Sequence, residues 1–392
     1  MNLNIQAFSF KHNFIYRLVA LTMIIGFPRI YNTEIPLAAL LLPFYLKEIY
    51  QFSKKNAGLV SIFVLLVLLF LLIGSLSFLI GSGEFRDISF HFQILIKIIL
   101  STLFGIILYE ILRPSKGPLL TWLVIQICII IVSGLSSSFF QFMLGFISPK
   151  SADVFQHIWG LRTVGLGLLH VDGATNIISA VFYLSLLSKQ MFLTFILWFI
   201  IFPISMTLAR SALIPYSLFS IFSSRMHIRI PLLFSLLCMF ILSPFISSGP
   251  MFEALELFRN FISQGSFSST SVSGTADMYK LPTQISTWII GDGLFFINSP
   301  LSLQFYMNTD IGYLRILFFG GLPYLLLFIA INSYFLLPLI FCRKTKKTRE
   351  ISIFSFVLLL VFAILNTKGI QTIPVFATAI FCVFKDIKKY TP

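Results

Sequence analysis

The chain has 392 residues, is 57% hydrophobic, carries only 11% charged residues and holds 46 phenylalanines. A soluble domain carries about 25% charged residues, so a soluble enzyme is excluded. The pI near 9.7 and net charge of +14 invite a nucleic-acid reading, but the position of the basic residues along the chain explains them otherwise.

Apolar runs such as 59–80 and 316–341 reach the roughly 20 residues that a bilayer-crossing helix needs. A backbone in lipid must satisfy its own polar groups, so each span is expected to be helical. In chain order, spans are predicted over 13–29, 35–50, 58–80, 91–112, 118–140, 173–188, 190–208, 211–224, 230–248, 311–340, 351–367 and 370–385. The sequence therefore predicts an all-α polytopic membrane protein of about twelve transmembrane helices. Segments 190–208 and 211–224 can also be read as one re-entrant pair, because the second is short. The first apolar segment is followed by further spans and lacks a small-residue cleavage site, so no cleaved leader is expected. Cys128, Cys238, Cys342 and Cys382 lie in or at the ends of spans, so no disulfide framework is expected.

Orientation follows from the basic residues in short connections. With the N-terminus on the cytoplasmic side, that side gathers Lys11, Arg17, Lys47, Lys54, Lys55, Arg113, Lys116, Lys189, Arg225, Arg229, Arg343, Lys344, Lys346, Lys347, Arg349, Lys385, Lys388 and Lys389. Few acids oppose them, so the positive charge is a membrane-topology signal and no nucleic-acid partner is expected. Two long segments then fall on the far side, 141–172 and 248–310, and long loops are commonly functional. In the second, 263–275 is rich in Ser, Gly and Thr and is expected to be mobile. Phe252, Leu255 and Phe258 have helical spacing, which predicts a helix over 252–262, and another short helix is predicted over 283–290.

Arg210 sits between two apolar runs. A guanidinium stays charged, and placing it at hydrocarbon depth costs about 2.5–3.5 kcal/mol on insertion scales. It either snorkels to the membrane surface or meets something anionic. In the first loop, Arg162 lies in a glycine-rich stretch followed by His170, Asp172, Gly173 and Asn176. A helix starting near Ala174 would let Arg162 and free N–H groups close on one anion; otherwise this is a glycine turn with a surface arginine. The second loop offers Arg259, Asp277, Lys280 and Gly291-Asp292-Gly293, the last an ordinary turn sequence by itself. It ends at Asp310, with Arg315 about a turn later. Asp310 reads either as a helix cap or as a reactive carboxylate. Walker-type loops, His-Glu-x-x-His and Cys/His clusters at metal spacing are absent from the sequence, so neither a metal nor another cofactor is expected.

These stretches resemble the O-antigen polymerase and ligase superfamily, integral membrane glycosyltransferases acting on undecaprenyl-diphosphate-linked glycans. Arg162 through Gly165-Leu166 to Asn176 resembles the family's "R-x-x-G-L-F…P-N" segment, with Asp172-Gly173 where a Pro is common, and Arg162 to Gly173 fits the arginine–ten residues–glycine pattern of some polymerases. Thr207 to Leu213, with Arg210 inside, resembles "T-x-S-R-x-A-L". Gly291-Asp292-Gly293, then Gly312-Tyr313-Leu314-Arg315 and Gly320-Gly321-Leu322, resembles "G-x-G…GYLR…GLPG". Two departures stand out. Arg259 does not start a second arginine–ten residues–glycine pattern, because residue 270 is Thr. The ligase branch has a His before the helix that follows the second loop, where this chain has Asn308-Thr309-Asp310.

The resemblance implies a GT-C-like membrane fold in the bacterial inner membrane with both termini cytoplasmic. It implies a Wzy-type polymerase joining lipid-linked O-antigen repeat units at the periplasmic face, with an undecaprenyl-diphosphate-linked oligosaccharide as substrate, membrane lipid around it and a chain-length regulator as partner. Arg210 and Arg162 are the expected diphosphate clamp, with Arg259 and Arg315 secondary. Asp310 is the first candidate base, ahead of Asp292, Asp172 and His170, and Lys280 is a further substrate contact. The rival readings are the ligase, which transfers glycan to lipid A–core, and a lipid-linked oligosaccharide flippase.

Overall fold

The computed structural model describes residues 13–188, 190–223, 225–266, 278–297, 304–342, 345–373 and 375–390. Among these the secondary structure is helical, with isolated bridges in place of strands. The helices are α1 Phe14–Ile24, α2 Leu42–Lys55, α3 Ala57–Ile80, α4 Phe85–Leu112, α5 Gly117–Leu135, α6 Ser137–Leu144, α7 Pro149–Phe155, α8 His170–Leu187, α9 Met191–Leu208, α10 Leu213–Phe222, α11 Met226–Leu242, α12 Gly249–Ala254, α13 Glu256–Gln264, α14 Ile285–Ile289, α15 Gly312–Ser333, α16 Leu337–Ile340, α17 Lys346–Leu365 and α18 Phe376–Tyr390.

The chain is thus a helical membrane protein. Six described helices, α3, α4, α5, α9, α15 and α17, are long and apolar enough to cross a bilayer, and α1 and α11 are shorter apolar helices. The other six expected spans, over 13–29, 35–50, 173–188, 211–224, 230–248 and 370–385, correspond to α1, α2, α8, α10, α11 and α18, which are shorter or less apolar. Two of the long spans also end earlier than expected. The one over 118–140 breaks at Ser136, whose backbone turns extended and whose side chain accepts from the Phe139 N–H to start α6. The one over 311–340 ends at Ser333 and resumes as the short α16. Helix α2, with 14 residues, reaches only about 21 Å at 1.5 Å per residue, short of the roughly 30 Å hydrocarbon layer.

Helix α3 packs on α15, α4 on α18, and α9 on α8 and α11. Their facing side chains form one apolar core containing Trp122, Trp198, Phe182, Phe219 and Phe354. Phe182 stacks on both Phe219 and Phe354, with ring centroids 4.5 Å apart in each case. Two smaller clusters seat the loops at one end of the bundle. Phe140, Met143, Leu144 and Val164 lie under the first loop. Ile311, Leu314, Leu317 and Phe318 fix the start of α15.

Prolines inside α9 and α15 free carbonyls four residues earlier, and the fold supplies replacement donors. Pro203 frees the Phe199 carbonyl, to which Ser235 of α11 donates at 3.2 Å. Pro323 frees the Phe319 carbonyl. There the chain kinks at Gly321, with φ +71°. The Gly293 N–H donates to Phe319 O at 3.1 Å and the Asp292 N–H to Phe318 O at 2.6 Å. The Gly291-Asp292-Gly293 turn is therefore a backbone plug for a broken helix. Gly291 has φ +82°, and a Cβ there would collide with the Phe319 carbonyl oxygen.

Gly291→Ala must accept a left-handed backbone and that collision together. We expect a loss of at least about 2 kcal/mol, the scale of combined strain and overpacking, read as a lower unfolding temperature in detergent. Gly58→Ala, in a helix with open space around the position, should leave that temperature unchanged or raised.

Candidate functional site

Helix α9 ends at Leu208 and the chain continues through a 3-10 turn, Arg210–Ala212, into α10. Arg210 emerges at this break. Its Nη2 pairs with Glu253 Oε1 at 2.9 Å and its Nη1 with Glu256 Oε2. All three side chains are largely buried, at 15%, 25% and 13% accessible. The anion that meets Arg210 is thus the protein's own, brought by α12 and α13 of the second loop, and the snorkelling alternative does not apply. The helix predicted over 252–262 is split at Leu255, whose backbone leaves helical geometry. The split puts Glu253 and Glu256 in separate short helices that both face Arg210. Arg259 does not join them. It donates to the Phe252 carbonyl at 3.0 Å and stacks on the Phe252 ring, stiffening this helix pair.

The first loop docks onto the same break. Thr163 N–H donates to Thr207 O at 3.1 Å, and the Thr163 and Thr207 hydroxyls bond at 2.8 Å. Val164 and Leu166 N–H groups donate to Ser133 and Gln126 of α5. Arg162 is held beside Arg210 and Glu253, and its Nη1 is buried without a hydrogen-bond partner among the described residues. Burial, and then the Arg210 charge, push its guanidinium down to about 10. It remains a cation at neutral pH.

Helix α8 starts at His170, four residues earlier than expected, and His170 has a left-handed φ of +52°. Its side chain is solvent-accessible, yet protein atoms crowd around the ring. Burial first, then the charges of Arg162, Lys368 and Arg210 against that of Asp172, push the imidazole down to about 4. His170 is neutral at physiological pH. Asp172 is committed to Lys97 at 2.7 Å, across to α4.

Lys368 was not among the residues the sequence singled out. It stands in the turn between α17 and α18, and its amine is held below its usual value by burial and then by Arg210 and Arg162. The same turn backs the second candidate centre. Tyr313 N–H donates to Asn366 O at 3.2 Å, and Gly369 lies against Asp310, with Asp310 Oδ1 4.0 Å from the position of a Cβ there.

Asp310 does not cap α15. The cap position belongs to Ile311, and no side chain closes it. Asp310 instead pairs with Arg315 Nη1 at 3.4 Å, and burial raises its carboxyl above the usual range while Arg315 opposes the shift. The Arg315 guanidinium lies 3.7 Å over the Phe305 ring, so it is a neighbour of Asp310 and does not join the Arg162–Arg210 group. Asp292 accepts from the Thr287 hydroxyl at 2.7 Å and bonds the Tyr306 hydroxyl, which suits its plug role. Lys280 is exposed and lies on the rim of a separate cavity. Asp277 lies outside the described residues, as does most of the 263–275 stretch. No group of three or more His, Cys, Asp or Glu side chains poised for a metal occurs among the described residues.

The sequence also passed over Asp87. It is buried on α4, and its Oδ1 accepts from the Phe295 and Phe296 N–H groups at 2.7 and 3.1 Å. It anchors the end of the second loop. In the sequence it lies in the connector between the spans predicted over 58–80 and 91–112, beside Glu84 and Arg86, where nothing singles it out.

Comparison with protein-family models, with characterised proteins and with solved structures returns no match.

The depressed His170 has a consequence for acid stability. In the unfolded chain a His protonates near pH 6.5, whereas in the folded chain it does so near 4. The unfolded state binds more protons between these values, so stability is full above pH 6.5 and falls as the pH drops through that window. His170→Gln should flatten the acid limb between pH 6.5 and 4 in a thermal-unfolding series. An unchanged limb would show that His170 is protonated equally in both states.

Proposed function

We propose that this chain is a Wzy-type polymerase that joins undecaprenyl-diphosphate-linked oligosaccharide repeat units at the periplasmic face of a bacterial inner membrane, with both termini cytoplasmic, a GT-C-like fold and about twelve membrane segments including short and interfacial ones. The observation that carries the reading is the meeting, at one end of the bundle, of Arg162, Arg210 and Lys368 from three distant parts of the chain, in a turn-linked arrangement with Asp310. A lipid diphosphate leaving group needs fixed cations where its charge grows, and an attacking sugar hydroxyl needs a base.

In this scheme an acceptor hydroxyl at the non-reducing end of a new repeat attacks the anomeric carbon of the lipid-linked chain. The bond from that carbon to the diphosphate oxygen breaks with its electron pair passing to the diphosphate. The hydroxyl proton goes to Asp310, whose raised basicity suits the task. Arg162, with an unpartnered Nη1, is the first contact for the departing charge. Arg210 acts from behind, its own charge met by Glu253 and Glu256.

Deletion of the gene is expected to give lipopolysaccharide carrying core plus a single repeat, with no ladder. Bare core would overturn the polymerase reading and favour ligase or flippase. Asp310→Asn should lower polymerisation by about 10²–10⁴, the range for loss of a general base, and Arg162→Ala should abolish the ladder at normal membrane levels. Arg162→Lys should restore it only in part, because a point charge lacks the guanidinium's bidentate fit to phosphate oxygens. A full ladder from Arg162→Ala would remove the cation site from the mechanism.

A further inference from the structure

A cavity of about 530 Å³ opens beside the start of α15, lined by Ser82, Lys280, Leu294, Phe296, Tyr306 and Asn308 among others. Its size falls in the range of small-molecule sites, roughly 300–1,000 Å³. Its lining shares no residue with the Arg162–Arg210 group.

Its walls are built. The segments around Phe296 and Phe305 pair as a short antiparallel bridge, with Tyr306 N–H donating to Phe295 O at 3.0 Å and Ile297 N–H to Gln304 O at 2.9 Å. Asp87 pins the first of these segments from α4. The guanidinium of Arg86 lies 3.9 Å over the Phe296 ring. The rim is strained: Met307 and Asn308 are consecutive non-glycine residues with φ of +56° and +54°. Left-handed non-glycine residues persist where the surroundings over-determine them, and they cluster at binding sites.

The lining is mixed in a specific way. Ser82, Asn308 and Lys280 offer hydroxyl, amide and ammonium groups, while Phe296 and Tyr306 offer ring surface and Leu294 an apolar patch. A sugar has the matching character, with hydroxyls around its edge and C–H groups on its faces. Asp310 follows Asn308 by two residues, which a chain can separate by no more than about 7 Å. The backbone thus sets Asp310 close behind the cavity wall, while Lys368, beside Arg162, and Gly369, against Asp310, place the Arg162 group across the 366–370 turn.

We propose that this cavity is the acceptor subsite, holding the non-reducing end of an incoming oligosaccharide so that its hydroxyl faces Asp310. The proposal rests on the polymerase reading and divides the two substrates between two places: the donor's diphosphate on Arg162 and its neighbours, the acceptor's sugars against Phe296, Tyr306 and Lys280.

The test uses the full chain purified in detergent and, as probe, the oligosaccharide repeat released by mild acid from its lipid carrier. Saturation-transfer NMR and equilibrium dialysis read binding directly, without turnover. Wild type and Arg162→Ala should bind alike. Ser82→Trp, which fills the cavity, should weaken binding at least tenfold, and Lys280→Ala should weaken it severalfold. Lys280 is exposed, so its variant decides the matter if the Trp variant does not fold. No binding by wild type, or binding unaffected by Lys280→Ala and by a folded Ser82→Trp, would overturn the subsite. The deletion phenotype is read separately. Core plus one repeat alongside unaffected binding would overturn the cavity alone, whereas bare core would overturn the polymerase reading itself.

Discussion

A charged guanidinium at the break between α9 and α10 is the constraint on which the rest depends. Arg210 cannot deprotonate, and the apolar helices on either side of it hold it near the membrane. Its two carboxylate partners lie more than forty residues away, in the second loop. The ion pairs therefore do two jobs. They neutralise Arg210, and they tie α12 and α13 to the bundle. Removing one partner of a buried pair leaves an uncompensated charge, a loss of about 3–5 kcal/mol. That is comparable with the whole stability of many domains, so the loop's position is set by Arg210 as much as by its apolar contacts at Leu255 and Phe258.

Once Arg210 is balanced, the electrostatics of the neighbourhood change character. Arg162 and Lys368 face a region whose carboxylates, Glu253 and Glu256, already hold Arg210. The guanidinium of Arg162 and the amine of Lys368 are both held below their ordinary values by burial and by like charge. An anion placed between them would relieve that repulsion. His170 stays neutral in the same field, so it adds no charge and remains able to accept or donate a hydrogen bond.

How much of this the sequence revealed depends on the range of the interaction. Hydropathy made the long helices legible, since α3, α4, α5, α9, α15 and α17 are apolar over a full span. It did not reveal where an apolar run hides a break, as at Ser136 and Ser333. Arg162 and Arg210 were legible because an arginine in an apolar or glycine-rich setting demands an explanation. Their partners were not. Glu253 and Glu256 look like ordinary acids of an amphipathic helix, and only the split at Leu255 turns both toward Arg210. Lys368 read as a connector residue between two spans. Asp310 read either as a helix cap or as a reactive carboxylate; the backbone passes the cap position to Ile311 and leaves the carboxylate to Arg315.

The glycine-flanked Asp292 shows why short motifs divide so unevenly between structure and chemistry. As letters, Gly291-Asp292-Gly293 and the run around Arg162 are equally suggestive. In the fold the first is consumed by backbone work: two of its N–H groups meet carbonyls exposed by Pro323 and the kink at Gly321, and the Asp292 side chain is bonded to Thr287 and Tyr306. In the second, Thr163, Val164 and Leu166 take the backbone work, through Thr207, Ser133 and Gln126. That leaves the Arg162 side chain with an Nη1 that has no hydrogen-bond partner among the described residues. A buried donor without a partner is costly inside a membrane protein, and a fold keeps such a group where a ligand supplies what the protein withholds. By that criterion Arg162, rather than Arg210 with its two carboxylates, is the side chain left open to an anion.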